Sequence, residues 1–177
     1  MQSLDLCGDL HAGLLDPAGP LGKLIVFGYY DGPTDGVALC AADTHAYRFS
    51  LIGWNKIQER RLFTFSRLNT AAFGEIADLV CRVDASPRWP VWVPKWQTEG
   101  AEMLGIEARL AALLAEADPA TLIVLSDSLP RIEHVWPVTP EMVIRLKGLP
   151  SGPVEAWKIL SERLPDPNGN LRRSSVE

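Results

Sequence analysis

The stretch that decides the fold is KLIVFGYYDGPTDGVALCAADTHAYRFSLIGWNKIQERRLFTFSRL, residues 23–68. It contains four runs rich in aromatic and β-branched residues, and short segments of turn-forming residues separate them. This pattern is typical of consecutive antiparallel strands joined by tight connections. The predicted strands cover 23–30, 36–42, 46–54 and 61–68. The stretch therefore predicts a β-meander.

The third and fourth strands have a clear alternation of side chains. Tyr47, Phe49 and Leu51 share one face of the third strand, and Phe63 and Phe65 share one face of the fourth. Successive side chains of a strand point to opposite sides of the sheet, so a period of two marks a strand that is half buried. The meander is therefore expected to have a buried and a more exposed face.

Three helices are predicted after the meander, at 70–82, 99–117 and 153–164. In each of them apolar residues recur every three or four positions, and such a stripe needs a surface to pack against. Asn69 or Thr70 is the expected cap of the first helix, and Thr98 that of the second. Further strands are predicted at 121–126 and 131–138. Together these elements indicate an α+β fold, an antiparallel meander sheet with about three helices packed mainly on one face.

The composition is that of one globular domain. The chain has 177 residues, of which 47% are hydrophobic and 22% charged, which is enough to bury a core without disulfides or metals. Gly, Pro and polar residues replace the periodic apolar ones near both ends. We therefore expect an N-terminal arm at 1–22, a single domain at 23–165 and a flexible C-terminal tail at 166–177.

Charge and hydropathy narrow the class of partner and the location. The net charge of −5 is spread along the chain, whereas a nucleic-acid binder normally carries a basic patch, so nucleic acid is disfavoured. The longest apolar stretch, 24–30, is far shorter than the ~20 residues that a membrane span needs. Asp5 and Asp9 stand where a secretory signal would be basic. We expect a soluble cytoplasmic protein that is not bound to a membrane; the sequence leaves its oligomeric state open.

Cysteines and histidines give no sign of a metal site. The chain has three of each: Cys7, Cys40 and Cys81, and His11, His45 and His134. Their number and spacing fit neither a disulfide framework nor the paired ligands of a zinc site, and no cofactor-binding motif is present. We therefore expect neither a bound metal nor a cofactor.

Nine residues are candidates for binding: Tyr29, Tyr30, Asp31, Asp35, Arg48, Trp54, Trp89, Trp92 and Trp96. The first four surround an acidic, glycine-rich loop at 31–36, which is either a binding tip or simply a tight turn, since turns require the same residue types. The last three tryptophans lie in 87–96, a segment with three prolines. That composition suits an interface rich in hot spots, and it equally suits a lid over the end of the core.

Catalytic candidates are weaker. Cys40, Asp43 and His45 have the residue types of a nucleophile, an orienting group and a base, although a buried thiol beside a turn histidine explains them as well. Asp127 follows a predicted strand, with Glu133 and His134 close behind it, and Ser-Asp-Ser before a proline is also an ordinary turn.

Two functions remain open. The first is a non-catalytic binding or regulatory module for a protein partner. The second is a small cytosolic hydrolase that pairs Asp127 or Asp31 with His134 or His45. The first is favoured because the sequence contains no recognisable set of acid, base and nucleophile. Whether the protein is an enzyme is therefore undecided, with catalysis disfavoured and no catalytic residue assigned.

Overall fold

A computed structural model of the chain describes residues 21–41, 45–96, 100–127 and 129–165. Within them lie seven strands and four helices. The strands are β1 (Leu21–Tyr29), β2 (Pro33–Cys40), β3 (Ala46–Asn55), β4 (Arg60–Leu68), β5 (Val91–Trp92), β6 (Ala120–Ser126) and β7 (His134–Pro137). The helices are α1 (Thr70–Val83), α2 (Ala101–Ala115), α3 (Pro140–Lys147) and α4 (Pro153–Arg163). The α+β class is confirmed.

The seven strands form one sheet in the order β5-β1-β2-β3-β4-β6-β7. β1 to β4 pair in sequence as antiparallel neighbours, which is the predicted meander, and β6 and β7 extend it in the same sense. The prediction of a wholly antiparallel sheet is wrong at one edge, where β5 lies parallel to β1 and Trp92 is the partner of Ile25. β5 has two residues between Pro90 and Pro94, too few for a periodic pattern to reveal it.

The helices pack on one face of the sheet, called the helix face below. Ile25, Val37 and Leu39 form a core with the buried stripes of α1 and α2. At the other end of the same face, Leu62 and Ile123 pack with Trp157 and Leu160 of α4. The opposite face, called the aromatic face, holds Tyr47, Phe49, Phe63, Phe65 and Val124, all of them buried. The alternation expected in β3 and β4 is thus present.

α1 and α2 follow the periodicity that predicted them. Asn69 caps α1, since its side chain accepts a bond of 2.9 Å from the backbone N–H of Ala71. α2 buries the expected stripe, with Ile106 and Leu110 among its buried residues. Its N-cap is Gly100, which makes no capping side-chain bond, and the expected cap Thr98 lies outside the described residues.

The sequence prediction omitted α3. Thr139 accepts a bond of 3.3 Å from the backbone N–H of Met142, and Pro140 occupies the first helical turn, so both start signals are present. No residue of α3 is fully buried. Met142 and Leu146 pack against the core beside α4 but are only partly buried. Two residues make a short periodic signal, which is why three helices were expected where the described ranges hold four.

The N-terminal boundary also needs correction. Leu21 and Gly22 belong to β1 rather than to an arm, and Leu21 is buried in the core of the aromatic face. Residues 1–20 and 166–177, which make up the rest of the predicted arm and the tail, lie outside the described residues.

The four helices in the described part of the chain are short. The longest, α2, has 15 residues, and no helix in the described ranges combines the length and the apolar character needed to cross a bilayer.

Candidate functional site

Two of the meander's turns lie at the same end of the sheet, because alternate turns of a meander return to the same side. We call this the hairpin end; it consists of the β1–β2 turn at 30–32 and the β3–β4 turn at 56–59. Tyr30 is 66% exposed and Ile57 is 88% exposed, and Tyr29 is exposed beside them. The hairpin end thus presents three large apolar or aromatic side chains to solvent.

Tyr30 rests on Trp54, a buried residue near the end of β3. The two ring centroids lie 6.1 Å apart and the rings are nearly perpendicular, at 84°. Such edge-to-face packing is a favoured arrangement of aromatic rings. The Trp54 ring also receives two cations, with Arg61 Cζ at 4.8 Å and Lys56 Nζ at 5.0 Å from its centroid. Tyr30 therefore packs on a tryptophan ring, that of Trp54, which is itself fixed by several contacts.

Arg61 sets the shape of the β1–β2 turn. Its side chain is 7% exposed, and its guanidinium donates a hydrogen bond to the backbone carbonyl of Asp31. Asp31 has φ 48° and Gly32 has φ 140°, and a Cβ at position 32 would overlap the guanidinium. Glycine is thus required both by the backbone conformation and by the close approach of Arg61. Asp31 takes part in this contact through its main chain rather than its carboxylate.

Two buried donors at the hairpin end have no acceptor. Neither Arg61 Nε nor Trp54 Nε1 has a hydrogen-bond partner, and no carboxylate pairs with Arg61 in the described part of the chain. Burying a charge without a counter-charge is costly. Near Tyr30, Trp54 and Arg61 therefore hold buried hydrogen-bond donors that lack acceptors.

The β3–β4 turn is held by Asn55. Its Oδ1 accepts bonds of 3.0 Å from the backbone N–H of Ile57 and 3.1 Å from that of Gln58. Arg60, at the end of the turn, makes an ion pair of 2.5 Å with Glu133 in the loop between β6 and β7. Ile57 therefore projects from an ordered turn.

Seven of the nine predicted binding residues fall into three groups, and the other two, Trp89 and Trp92, lie together in the tryptophan segment, 87–96. Tyr29, Tyr30, Asp31 and Trp54 meet at the hairpin end. Asp35 and Trp96 line a cavity on the helix face. Arg48 lies on β3 and donates a bond of 3.4 Å to the carbonyl of Leu114 near the end of α2. The sequence pattern did not indicate that Lys56, Ile57 and Arg61 belong to the site. Arg61, however, follows the same period-two spacing as Phe63 and Phe65.

Trp92 is a structural residue, contrary to the expectation that its side chain is available for binding. It is 1% exposed, and its indole N–H lies 3.4 Å from a carboxylate oxygen of Asp84, which also accepts a bond of 3.1 Å from the backbone N–H of Lys95. The pKa of the Asp84 carboxyl is lowered, mainly because it accepts hydrogen bonds from the backbone N–H groups of Lys95 and Ser86. Trp89 packs edge-on against Trp92, with ring centroids 5.7 Å apart. Trp92 thus has the buried position expected of a lid, whereas Trp89 and Trp96 are 40% and 39% exposed.

Asp84 should therefore hold the tryptophan segment in place. In Asp84→Ala we expect trypsin to cut after Arg88 several-fold faster, since the segment loses hydrogen bonds to a carboxylate and opens locally more often. The matched control is Asp78→Ala, which removes an exposed carboxylate from α1. Mass spectrometry measures the rate of cleavage. Equal rates in the two variants would mean that Asp84 does not fix the segment.

None of the catalytic candidates lines either of the two cavities that the described residues form at α2 and beside α3 and α4. Burial raises the pKa of the Cys40 thiol, which disfavours the reactive thiolate, and Asp43 lies outside the described residues. Glu133 is engaged by Arg60, and the ring of His134 packs against Trp136 at 4.5 Å. In the described ranges neither well-formed cavity is lined by a histidine, and no three His, Cys, Asp or Glu side chains are grouped as metal ligands.

The larger cavity lies between the sheet and α2 and has a volume of about 390 Å³. Phe27, Asp35 and Trp96 line one side of it, and Met103, Glu107 and Leu110 line the other. It is the second place where the structure gathers residues predicted to bind.

Comparisons of this chain with protein-family models, curated proteins and solved structures found no match.

Proposed function

We propose that this protein is a non-catalytic binding module that holds a protein partner at the hairpin end. The observation that carries the proposal is Tyr30, an exposed aromatic ring packed on the buried Trp54, which Arg61 contacts in turn. Energy in protein interfaces concentrates in a few Tyr, Trp and Arg residues, and an anchor held in place before binding loses little conformational entropy.

The surroundings of Tyr30 support a protein as the partner. Tyr29 and Ile57 extend the apolar surface, while Lys56 and Glu59 surround it with charges of both signs, as in the polar rim of an interface. Trp89, Val93 and Trp96 of the tryptophan segment are also exposed, at 39–43%. The exposed Leu104 and Ile144 stand singly on α2 and α3. Such isolated residues are normal on a protein surface.

The proposal includes the location and the partner class. Cys40 and Cys81 are free thiols, which suits the reducing cytoplasm. The net charge of −5 argues against nucleic acid as the partner. For the alternative, a hydrolase with an Asp–His pair, the described cavities supply no supporting geometry.

Site-directed photocrosslinking in the cells of origin tests this function. A photoreactive phenylalanine analogue in place of Tyr29 should give one discrete protein adduct, and the same analogue in place of Ile144 should not. Adding Tyr30→Ala should weaken the binding of the partner by about 2 kcal/mol, or roughly thirtyfold in affinity, since an anchor residue is removed. Because Tyr30 is exposed, unfolding should change much less than binding.

The proposal fails if position 29 gives no adduct, or if positions 29 and 144 give the same adducts. It also fails if Tyr30→Ala keeps full affinity for the captured partner. Denaturant unfolding of each variant distinguishes a lost contact from a lost fold.

A further inference from the structure

The cavity beside α2 has the size and the walls of a small-molecule site. Its volume of about 390 Å³ lies in the range of roughly 300–1,000 Å³ common for ligand pockets. Phe27 of β1 and Trp96, which follows β5, form an aromatic corner, with ring centroids 6.3 Å apart and planes inclined by 46°. Met103 and Leu110, both buried on α2, supply apolar surface opposite.

The charged residues of the cavity wall are all acidic in the described part of the chain. Asp35 comes from β2 and Glu107 from α2, so carboxylates stand on both sides of the space. Thr34 Oγ1 donates a bond of 3.2 Å to Asp35 Oδ1, which helps to orient this carboxylate.

Neighbouring cations are directed elsewhere. Arg48 bonds to the carbonyl of Leu114, and Arg109 makes two bonds of 2.6 and 2.8 Å to the Glu75 carboxylate. Neither arginine lines the cavity. The wall thus combines two formal negative charges with aromatic faces.

We propose that this cavity binds a small organic cation, an ammonium group carried on an apolar aryl or alkyl body. Ammonium groups are attracted to the faces of Trp and Phe rings and to carboxylates, and the two forces act in the same direction. Trp96 and Glu107 are exposed, so the ammonium group can reach them from solvent. The apolar body packs on Met103 and Leu110. An anion of the same shape is repelled by Asp35 and Glu107, and a neutral alcohol can donate a hydrogen bond to these carboxylates but supplies no counter-charge.

Three ligands of similar shape and different charge test the proposal: phenethylammonium, 2-phenylethanol and 3-phenylpropanoate. Titration of the intact protein by isothermal calorimetry should show phenethylammonium binding at least about tenfold more tightly than the alcohol, with no binding of the carboxylate. In Asp35→Asn/Glu107→Gln this preference should disappear. The exposed Glu102→Gln on α2 is the matched control and should keep it.

Each result of these titrations either supports or overturns the proposed cation site. A preference for the cation that is lost in the double variant and kept in the control supports the cavity as a cation site. No binding of phenethylammonium at about 1 mM, equal binding of the alcohol, or an unchanged preference in the double variant overturns it. Tyr30→Ala should leave the binding of phenethylammonium unchanged, so the result does not depend on the partner site at the hairpin end.

Discussion

Replacing Phe49 with alanine should lower the free energy of unfolding by about 3–5 kcal/mol, as expected for a large side chain removed from a core. Phe49 lies in the centre of the meander with no exposed surface. Its ring is 6.0 Å from that of Phe65 in a stacked arrangement and 5.9 Å from that of Phe63 in an edge-on one. The variant loses the burial of one ring and the contacts of two others, and the β-sheet around it has little freedom to close the space.

Chemical denaturation monitored by tryptophan fluorescence measures the effect. The control is Leu104→Ala, which removes an exposed side chain from α2 and should change stability by less than about 0.5 kcal/mol. If Phe49→Ala were no more destabilising than this control, the aromatic face would not be a packed core.

The sequence predicted the meander because its signals are local. A period of two over the middle of β3 and β4 indicates both strands, and turn-forming residues mark where each strand ends. β5 and α3 were not predicted, for opposite reasons. β5 is too short to show a period, and α3 is long enough but buries no residue completely.

The candidate site was predicted in part. Tyr30 stands in a turn, where side chains are commonly exposed, so composition and position indicated it. Trp54 was also expected to be exposed, but it is buried beside Tyr30. The role of Arg61 depends on a contact with Asp31, 30 residues away in the chain, and no local pattern encodes such a contact. Trp92 was misjudged because the composition of a hot spot and that of a lid are the same, and only the pairing of β5 with β1 decides between them.

Gly36→Ala should destabilise the protein by about 3 kcal/mol, at the upper end of what overpacking costs. Gly36 lies in β2 between Val26 of β1 and Phe49 of β3. A Cβ there would overlap the backbone carbonyl oxygen of Ile25 and would lie 2.8 Å from Cζ of Phe49. A backbone atom in a paired strand cannot rotate away as a flexible side chain can, so the two strands would have to move apart.

Gly74→Ala is the matched control, and it should act in the opposite direction. Gly74 lies in the middle of α1, where a new Cβ would meet no atom within 4 Å. Alanine is favoured over glycine inside a helix by about 0.5–1 kcal/mol, so this variant should be more stable than the parent. Denaturant midpoints of the two variants therefore separate to either side of the parent value. If Gly36→Ala were neutral, the ring of Phe49 would not lie over Gly36, and the register of β2 against β3 would be wrong.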